Sequence, residues 1–472
     1  MKEKKSCIIV GGGIGGTAVG ALLAHEGYKV KLFDKNNIIG GRCTTYEHEG
    51  FKIDLGVHLF GVGGSGYLGD VCRRIGMPDA IQWVIARDPR PILNYRGKKQ
   101  VYSRDTMSGM VGEGGKERKK ERSKDSEMSS KFWKDCMTMD QKGIEELYYT
   151  PLSDLVWRYT TNPMLLMFAI TICGQYFVID PFSASAGEFV RCFQQVTKAR
   201  SSAYPIGGCI AIPEAYARGI KRYGGEVELN ARVKKIIIED DRAKGIELKD
   251  GTTYFSDIII SNADIQNTVI NLVGEKYFDR EYVDKIKKLT YSLSALAIKV
   301  ALDEKVTDQK LIMYMPVSFE KASEMMPKEE GEPPEKFAGM ITSPTNFDPN
   351  LAPKGKQLIF FGSYGVPGLT RKGNERWGEA CLNSLIECVP EVEGHVMWYR
   401  TDGPDVVDAY AGEGGNVIGV AQTVEQIHEK RPSQVTPIKG LYIVGAEAGG
   451  HGIGTELAAN SAMELADIIT GK

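Results

Sequence analysis

The sequence predicts a two-domain α/β protein with a Rossmann-type dinucleotide-binding domain, and three observations carry that reading. A strand, a glycine-rich turn, a helix and a second strand follow one another within residues 6–34. The order strand, glycine turn, helix returns between Leu441 and Ile469. Between these ends, residues 224–263 break into short alternating strands divided by turns. Strands that alternate with helices are the pattern of a parallel sheet.

Composition narrows the class. At 472 residues, 42% hydrophobic and 25% charged, the chain is globular and long enough for about two or three domains. Lys+Arg at 59 against Asp+Glu at 61 leaves it nearly neutral, so no global field favours nucleic acid or anionic lipid. Nine cysteines without a C-x-x-C pair point to a reducing compartment and no structural zinc. The start, MKEKKSCIIVGGG, has only Cys7–Val10 as an apolar run, too short for a signal sequence, so the expectation is a cytoplasmic protein. Thr160–Ile179 lacks charge but contains Asn162, Pro163, Gly174 and Gln175. Its dense part, Met164–Cys173, is far short of the ~20 apolar residues of a membrane span, and reads as a buried helix.

The elements follow in order. Cys7–Val10 is a strand, Gly11–Gly16 a turn, Thr17–His25 an alanine-rich helix and Tyr28–Phe33 a strand. Residues 104–131 collapse to Gly, Ser, Lys, Glu and Arg and read as a mobile charged insert. Residues 132–200 are helical in texture. Val227–Leu229, Val233–Glu239, Gly245–Leu248 and Ile258–Ile260 form the meander, and further strands are expected at Ala295–Ala301, Leu311–Met315, Leu358–Ser363 and Val396–Tyr399. Strand Leu441–Val444, a glycine turn at Gly445–Gly454 and helix Thr455–Ile469 close the chain.

The first turn carries the sharpest chemistry. Gly11, Gly13 and Gly16 satisfy G-x-G-x-x-G, Gly15 lies between them, and Asp34 follows at the end of the next strand. The first glycine makes the turn, the second lets backbone meet a pyrophosphate, and the third lets helix pack on strand. The helix start then presents N–H groups and partial positive charge to the phosphates, while Asp34 accepts from a ribose hydroxyl. No second fingerprint is visible, so a separate nicotinamide site is not expected. No nucleophile and base pair, H-x-x-x-H motif or carboxylate cluster stands out.

After Asp34, the run Lys35-Asn36-Asn37-Ile38-Ile39-Gly40-Gly41-Arg42 resembles the second fingerprint of the flavin-containing amine oxidase superfamily, whose glycines and arginine line the flavin diphosphate. Read alone, Arg42 is a bidentate oxyanion donor on a flexible turn or a surface arginine. Phe51–Gly56, Tyr204–Gly208, Glu226–Ala263 with its Ser-Asn-Ala-Asp end, Arg431-Pro432 and Gly440–Gly445 extend the resemblance to the phytoene desaturase and carotenoid isomerase-like branch. The helical middle and the charged insert match poorly. The resemblance implies a glutathione reductase-like FAD fold and non-covalent FAD. Val233 matches the residue whose backbone meets adenine, and Glu447 the acid that accepts from the ribitol. Gly452, Ile453 and Gly454 match the helix start at the pyrimidine edge. His451 stands where many relatives carry proline, and is either a proton donor beside the ring or a turn residue. His58, after the Asp54–Gly56 element, is either a second catalytic candidate or structural.

The implied activity is FAD-dependent redox chemistry on a carbon–carbon bond of a lipophilic isoprenoid or polyene: desaturation, saturation or isomerisation. The electron acceptor (quinone, O2 or other) is open. Met164, Met167, Phe168 and Phe177 are candidates for an apolar substrate lining, or for plain core. The lysine-rich part of the insert is a solvated loop or a peripheral membrane contact. The FAD domain is expected near 1–103, 193–288 and 404–472, and the mixed α+β substrate domain near 132–192 and 289–403. A flavin amine oxidase is the alternative, weakened by the absence of any aromatic residue in Gly445–Ala459; a non-catalytic prenyl-binding escort protein is the second.

Overall fold

The computed structural model describes residues 5–56, 59–102, 119–318, 321, 324–325, 327, 329, 331–366, 368–369, 371–412 and 414–472. Its first sheet has five parallel strands, in the order Leu441–Ile443, Ile258–Ser261, Ser6–Val10, Lys29–Phe33, Glu226–Glu228. Both faces are covered, which is why Cys7–Val10 and Ile258–Ile260 are continuously apolar rather than alternating. On one face, helices Ile14–His25, Ala211–Arg222 and Thr455–Thr470 bury Ala18, Leu22, Tyr216 and Leu465 against Ile9 and Ile260. On the other, Ile8, Val10 and Ile259 meet Ile246 of the antiparallel strands Val233–Glu239, Arg242–Leu248 and Thr253–Phe255.

The second sheet has seven strands: Val396–Asp402, Ala295–Leu302, Gln357–Tyr364, Gly339–Thr342, Leu311–Met315, Ile92–Tyr95 and Lys98–Val101. All neighbours are antiparallel except Leu311–Met315 beside Ile92–Tyr95. Helix Arg371–Cys388 places Trp377, Cys381 and Leu385 on one face, against Leu296, Ile298 and Val300. Leu311, Met313 and Met315 alternate to the other face, where they join helices Lys119–Thr138, Pro163–Phe177 and Ala186–Ala199. The hairpin Ile92–Val101 thus belongs to the second sheet, although the sequence division places it in the first unit; four-residue strands of mixed polarity carry too little periodicity to show their partner.

The charged insert also ends earlier than expected. Residues 103–118 lie outside the described residues, but helix begins at Lys119 and runs to Thr138. Its anchor is Phe132, Trp133 and Cys136, all buried. Asp125 fastens the stretch further upstream, accepting from Thr160 Oγ1 and Asn162 Nδ2, each at 2.8 Å. No helix among the described residues is long and apolar enough to cross a membrane.

Candidate functional site

The glycine turn packs where three strands end. Gly11 has φ +101°, in the region that favours glycine, and a Cβ on Gly16 would stand 2.1 Å from the Gly11 carbonyl oxygen. A Cβ on Gly15 would stand 2.6 Å from Gly445 Cα, so the first and last turns of the chain touch backbone to backbone. Helix Ile14–His25 starts directly behind, and its unpaired first-turn N–H groups and positive end point the same way. Asp34 Oδ2 accepts from the Gly12 N–H at 2.6 Å and Oδ1 from the Asn36 N–H at 2.7 Å. Burial pushes its carboxyl up against these two donors.

A cavity of about 1230 Å³ opens from this turn. Gly11, Gly13, Gly15, Asp34, Lys35, Gly41, Arg42, Val233, Glu447, Ile453 and Gly454 all line it. Segments hundreds of residues apart therefore meet on one space. Gly16 and Gly452 do not line it: Gly16 packs behind the turn, and the Gly452 N–H donates to Glu188 Oε1 at 2.8 Å. By contrast, the N–H groups of Ile453 and Gly454 make no hydrogen bond within the described residues.

Glu447 and Arg42 form the polar centre. Arg42 donates through Nε to the Asn416 carbonyl at 3.0 Å and through Nη2 to Asn416 Oδ1 at 2.7 Å, and its Nη1 lies 3.7 Å from Glu447 Oε1. Glu447 is buried and neither oxygen has a hydrogen-bond partner among the described residues. Burial, then the charge of Asp264, push its carboxyl up to about 7 against the pull of Arg42 and Arg431. Buried polar atoms without partners are rare in folded proteins. An acceptor pair beside a cavity suits a hydroxyl-bearing ligand, and the glycine turn suits a pyrophosphate; a flavin dinucleotide supplies both.

The helix Pro163–Phe177 is apolar over most of its surface, and only its geometry separates wall from core. Met167, Ile170, Thr171 and Gly174 share one stripe at helical spacing and line the cavity. Phe168 and Phe177 lie off that stripe, 1% exposed, in the helical core, so their assignment to the lining is corrected. The side chain of Met164 and the whole of His58 fall outside the described residues. His451 does not line the cavity. Its Nδ1 faces Glu188 Oε2 at 2.9 Å and its ring stacks on Tyr148 at 5.9 Å, a placement that favours the turn-residue alternative.

Tyr176, which belongs to the same apolar stretch as the proposed lining, does reach the cavity, and several other wall residues carried no sequence signal. Gln175, and Met313, Met315, Met340 and Tyr364 from the second sheet, complete the far end. Lys299 is fully buried, without a hydrogen-bond partner among the described residues, 4.1 Å from the Phe360 ring centre. Burial pulls its ammonium down while Asp402 and Asp54 oppose. An alternating lysine on an apolar strand reads as an outward face, and nothing local marks it as buried.

A parallel sheet with a glycine turn opening on a crevice at its strand ends defines a dinucleotide-binding protein. The chain belongs to the flavin-containing amine oxidoreductase family, whose model matches residues 14–470. It is 25% identical over 505 residues to the phytoene desaturase of Fusarium fujikuroi, covering 94% of this chain and 85% of that one. It is 23% identical over 482 residues to the chloroplastic prolycopene isomerase of Daucus carota, covering 93% and 75%. Among solved structures, an oxidoreductase from Methanosarcina mazei superposes with a TM-score of 0.73 at 21% identity, over 98% of this chain and 99% of the other. The protein is a flavin-dependent oxidoreductase of the phytoene desaturase-like branch of this superfamily.

Proposed function

We propose that the protein binds FAD non-covalently and acts on a carbon–carbon bond of an extended polyene or isoprenoid. The observation that carries this reading is the continuity of the cavity from the glycine turn to a wall of Met167, Ile170, Met313, Met315 and Met340. Such a wall takes a hydrocarbon chain with little demand for polar contact, and flexible thioethers adapt to its bends. The relatives' names point the same way.

In this reading the Gly11–Gly15 turn and the start of helix Ile14–His25 take the pyrophosphate, and Asp34 a ribose hydroxyl. Val233 backs the adenine, Glu447 accepts from the ribitol, and Ile453 and Gly454 offer N–H groups to the pyrimidine edge. FAD supplies a hydride acceptor or donor when bound. The methionine wall excludes water and holds the chain extended against that position. The first unit, with 193–288 and 404–472, serves the flavin, and the seven-stranded sheet with the helical layer serves the substrate. The electron acceptor is a quinone, O2 or another oxidant.

The test is purification followed by anaerobic mixing with polyenes and with short amines. We expect yellow protein that releases FAD on denaturation, and a flavin spectrum perturbed by polyenes. Rapid bleaching by a short amine would instead establish the amine oxidase alternative. Protein that stays colourless after incubation with FAD would leave the escort reading.

A further inference from the structure

The polar side chains in the far wall of the cavity are not all alike. Thr171 Oγ1 donates to the Met167 carbonyl at 2.9 Å, Ser363 Oγ to the Ala338 carbonyl at 2.7 Å, and the Tyr364 hydroxyl to the Met325 carbonyl at 3.1 Å. Each is turned into the protein. Gln175 is the exception: its Nε2 donates to the thioether of Met313 at 3.2 Å. Sulfur is a weak acceptor for a primary amide that carries two donors and a strong carbonyl acceptor. Next to it, the hydroxyl of Tyr176 has no hydrogen-bond partner among the described residues, and Tyr102 hydrogen-bonds the same amide. Burial holds both phenols neutral, shifted upward from their ordinary values.

We propose that Gln175 and Tyr176 form a recognition site for a neutral oxygen function, a hydroxyl or carbonyl, at the end of the substrate chain. The proposal rests on the isoprenoid reading above and narrows it from hydrocarbons to oxygenated isoprenoids. The charge of the site fixes the class of oxygen. The cations that line the cavity, Lys35, Arg42 and Arg232, stand at its flavin end, and the far wall has none among the described residues. A carboxylate or diphosphate placed there would be buried without a counter-charge, which is strongly unfavourable. A neutral oxygen replaces the sulfur contact with an ordinary hydrogen bond and gives the free tyrosine hydroxyl a partner. A hydrocarbon end leaves the amide with its weak sulfur contact and the tyrosine hydroxyl without a partner, and that asymmetry is the source of selectivity.

The test uses the FAD-loaded protein and four probes of one chain length: geranylgeraniol, the same chain with a terminal methyl, its carboxylic acid and its diphosphate. Dissociation constants are read from protein fluorescence, without turnover. We expect the alcohol to bind about tenfold more tightly than the hydrocarbon, and both charged forms more weakly than the alcohol. Gln175→Leu removes the preference for the alcohol. Tyr176→Phe halves it or more, without loss of fold, since its hydroxyl has no hydrogen-bond partner among the described residues. Alcohol and hydrocarbon binding alike in the wild type, or an alcohol preference intact in both variants, overturns the proposal and leaves the polyene reading standing. If no chain binds while a short amine bleaches the flavin, the polyene reading itself fails and the proposal with it.

Discussion

Glu188 and His451 stand 2.9 Å apart, carboxylate to imidazole Nδ1, and the same carboxylate accepts the N–H of Gly452 at 2.8 Å. One buried side chain thus fastens helix Ala186–Ala199 to the turn that opens the last helix. Burial alone would raise the Glu188 carboxyl; its bond to His451, the charge of Arg191 and the Gly452 N–H outweigh it and hold the group below its ordinary value. Such a group stabilises the fold above the ordinary carboxylate range, and the contribution is lost as pH falls through its lowered value.

Glu188→Ala is therefore expected to cost about 3 kcal/mol at neutral pH, since it strands a buried N–H and an imidazole. Glu188→Gln keeps one acceptor and costs less, but flattens the acid side of the stability profile. Thermal unfolding followed from about pH 7 down to about pH 4 checks both; parallel acid limbs for wild type and Gln variant would contradict the pairing.

Glu447 has the opposite sign. Its carboxyl is raised to about 7, so in the flavin-free protein its contribution to stability is complete below the ordinary range near 4.5 and is lost as pH rises through about 7. The apoprotein is expected to melt at a lower temperature on the alkaline side of neutrality, and Glu447→Gln to remove that decline. The same variant weakens FAD binding about tenfold, through loss of a charged acceptor. Calorimetry of the apoprotein and a flavin titration measure the two effects separately.

Two glycines of one turn should fail differently. A Cβ on Gly13 would meet Asn262 Nδ2 at 2.7 Å, the end of a side chain, whereas a Cβ on Gly16 would meet the Gly11 carbonyl at 2.1 Å. Gly13→Val is expected to fold but remain colourless, with its methyl groups at the pyrophosphate position. Gly16→Ala cannot keep helix on strand and is expected to lose the cooperative melt. Circular dichroism beside flavin content distinguishes them.

The flavin end of the site was legible because its chemistry demands local patterns. Glycines at fixed spacing, Asp34 after the second strand, Arg42 after two glycines and Glu447 in the last turn are each tied to a backbone shape, and all but Gly16, which packs behind the turn, line the cavity. The substrate end was not. Met167 and Phe168 are adjacent apolar residues on one apolar helix, and which of them faces the cavity is decided by the helix's orientation in the fold. Met313 and Tyr364 reach the site through strand pairings of the second sheet. Continuous apolar runs marked those strands as strands, while nothing in them named their neighbours.

Gly174 offers the cleanest probe of that end. It lines the cavity, and a Cβ there would meet nothing within 4 Å. Gly174→Leu should raise thermal stability, by about 1 kcal/mol from helix propensity, while its side chain fills the cavity. Across a prenyl series, affinity in the wild type is expected to grow by about 0.8 kcal/mol per buried CH₂, and in the variant to stop growing at a shorter chain. Equal plateaus in the two proteins would place the hydrocarbon elsewhere.

The strand order of the first sheet also sets a timetable. Ser6–Val10 at its centre pairs with Ile258–Ser261, which in turn pairs with Leu441–Ile443, and the latter strand leads into the backbone that touches Gly15. A ribosome makes the first glycine turn some 430 residues before its counterpart (Gly15 to Gly445). Until then the nascent chain has half a cofactor site and an open sheet edge beside Ile258–Ser261, a surface prone to mispairing. Flavin loading accordingly waits for both turns, and the pigment in a cell making this protein reports chains in which Gly445 has reached Gly15.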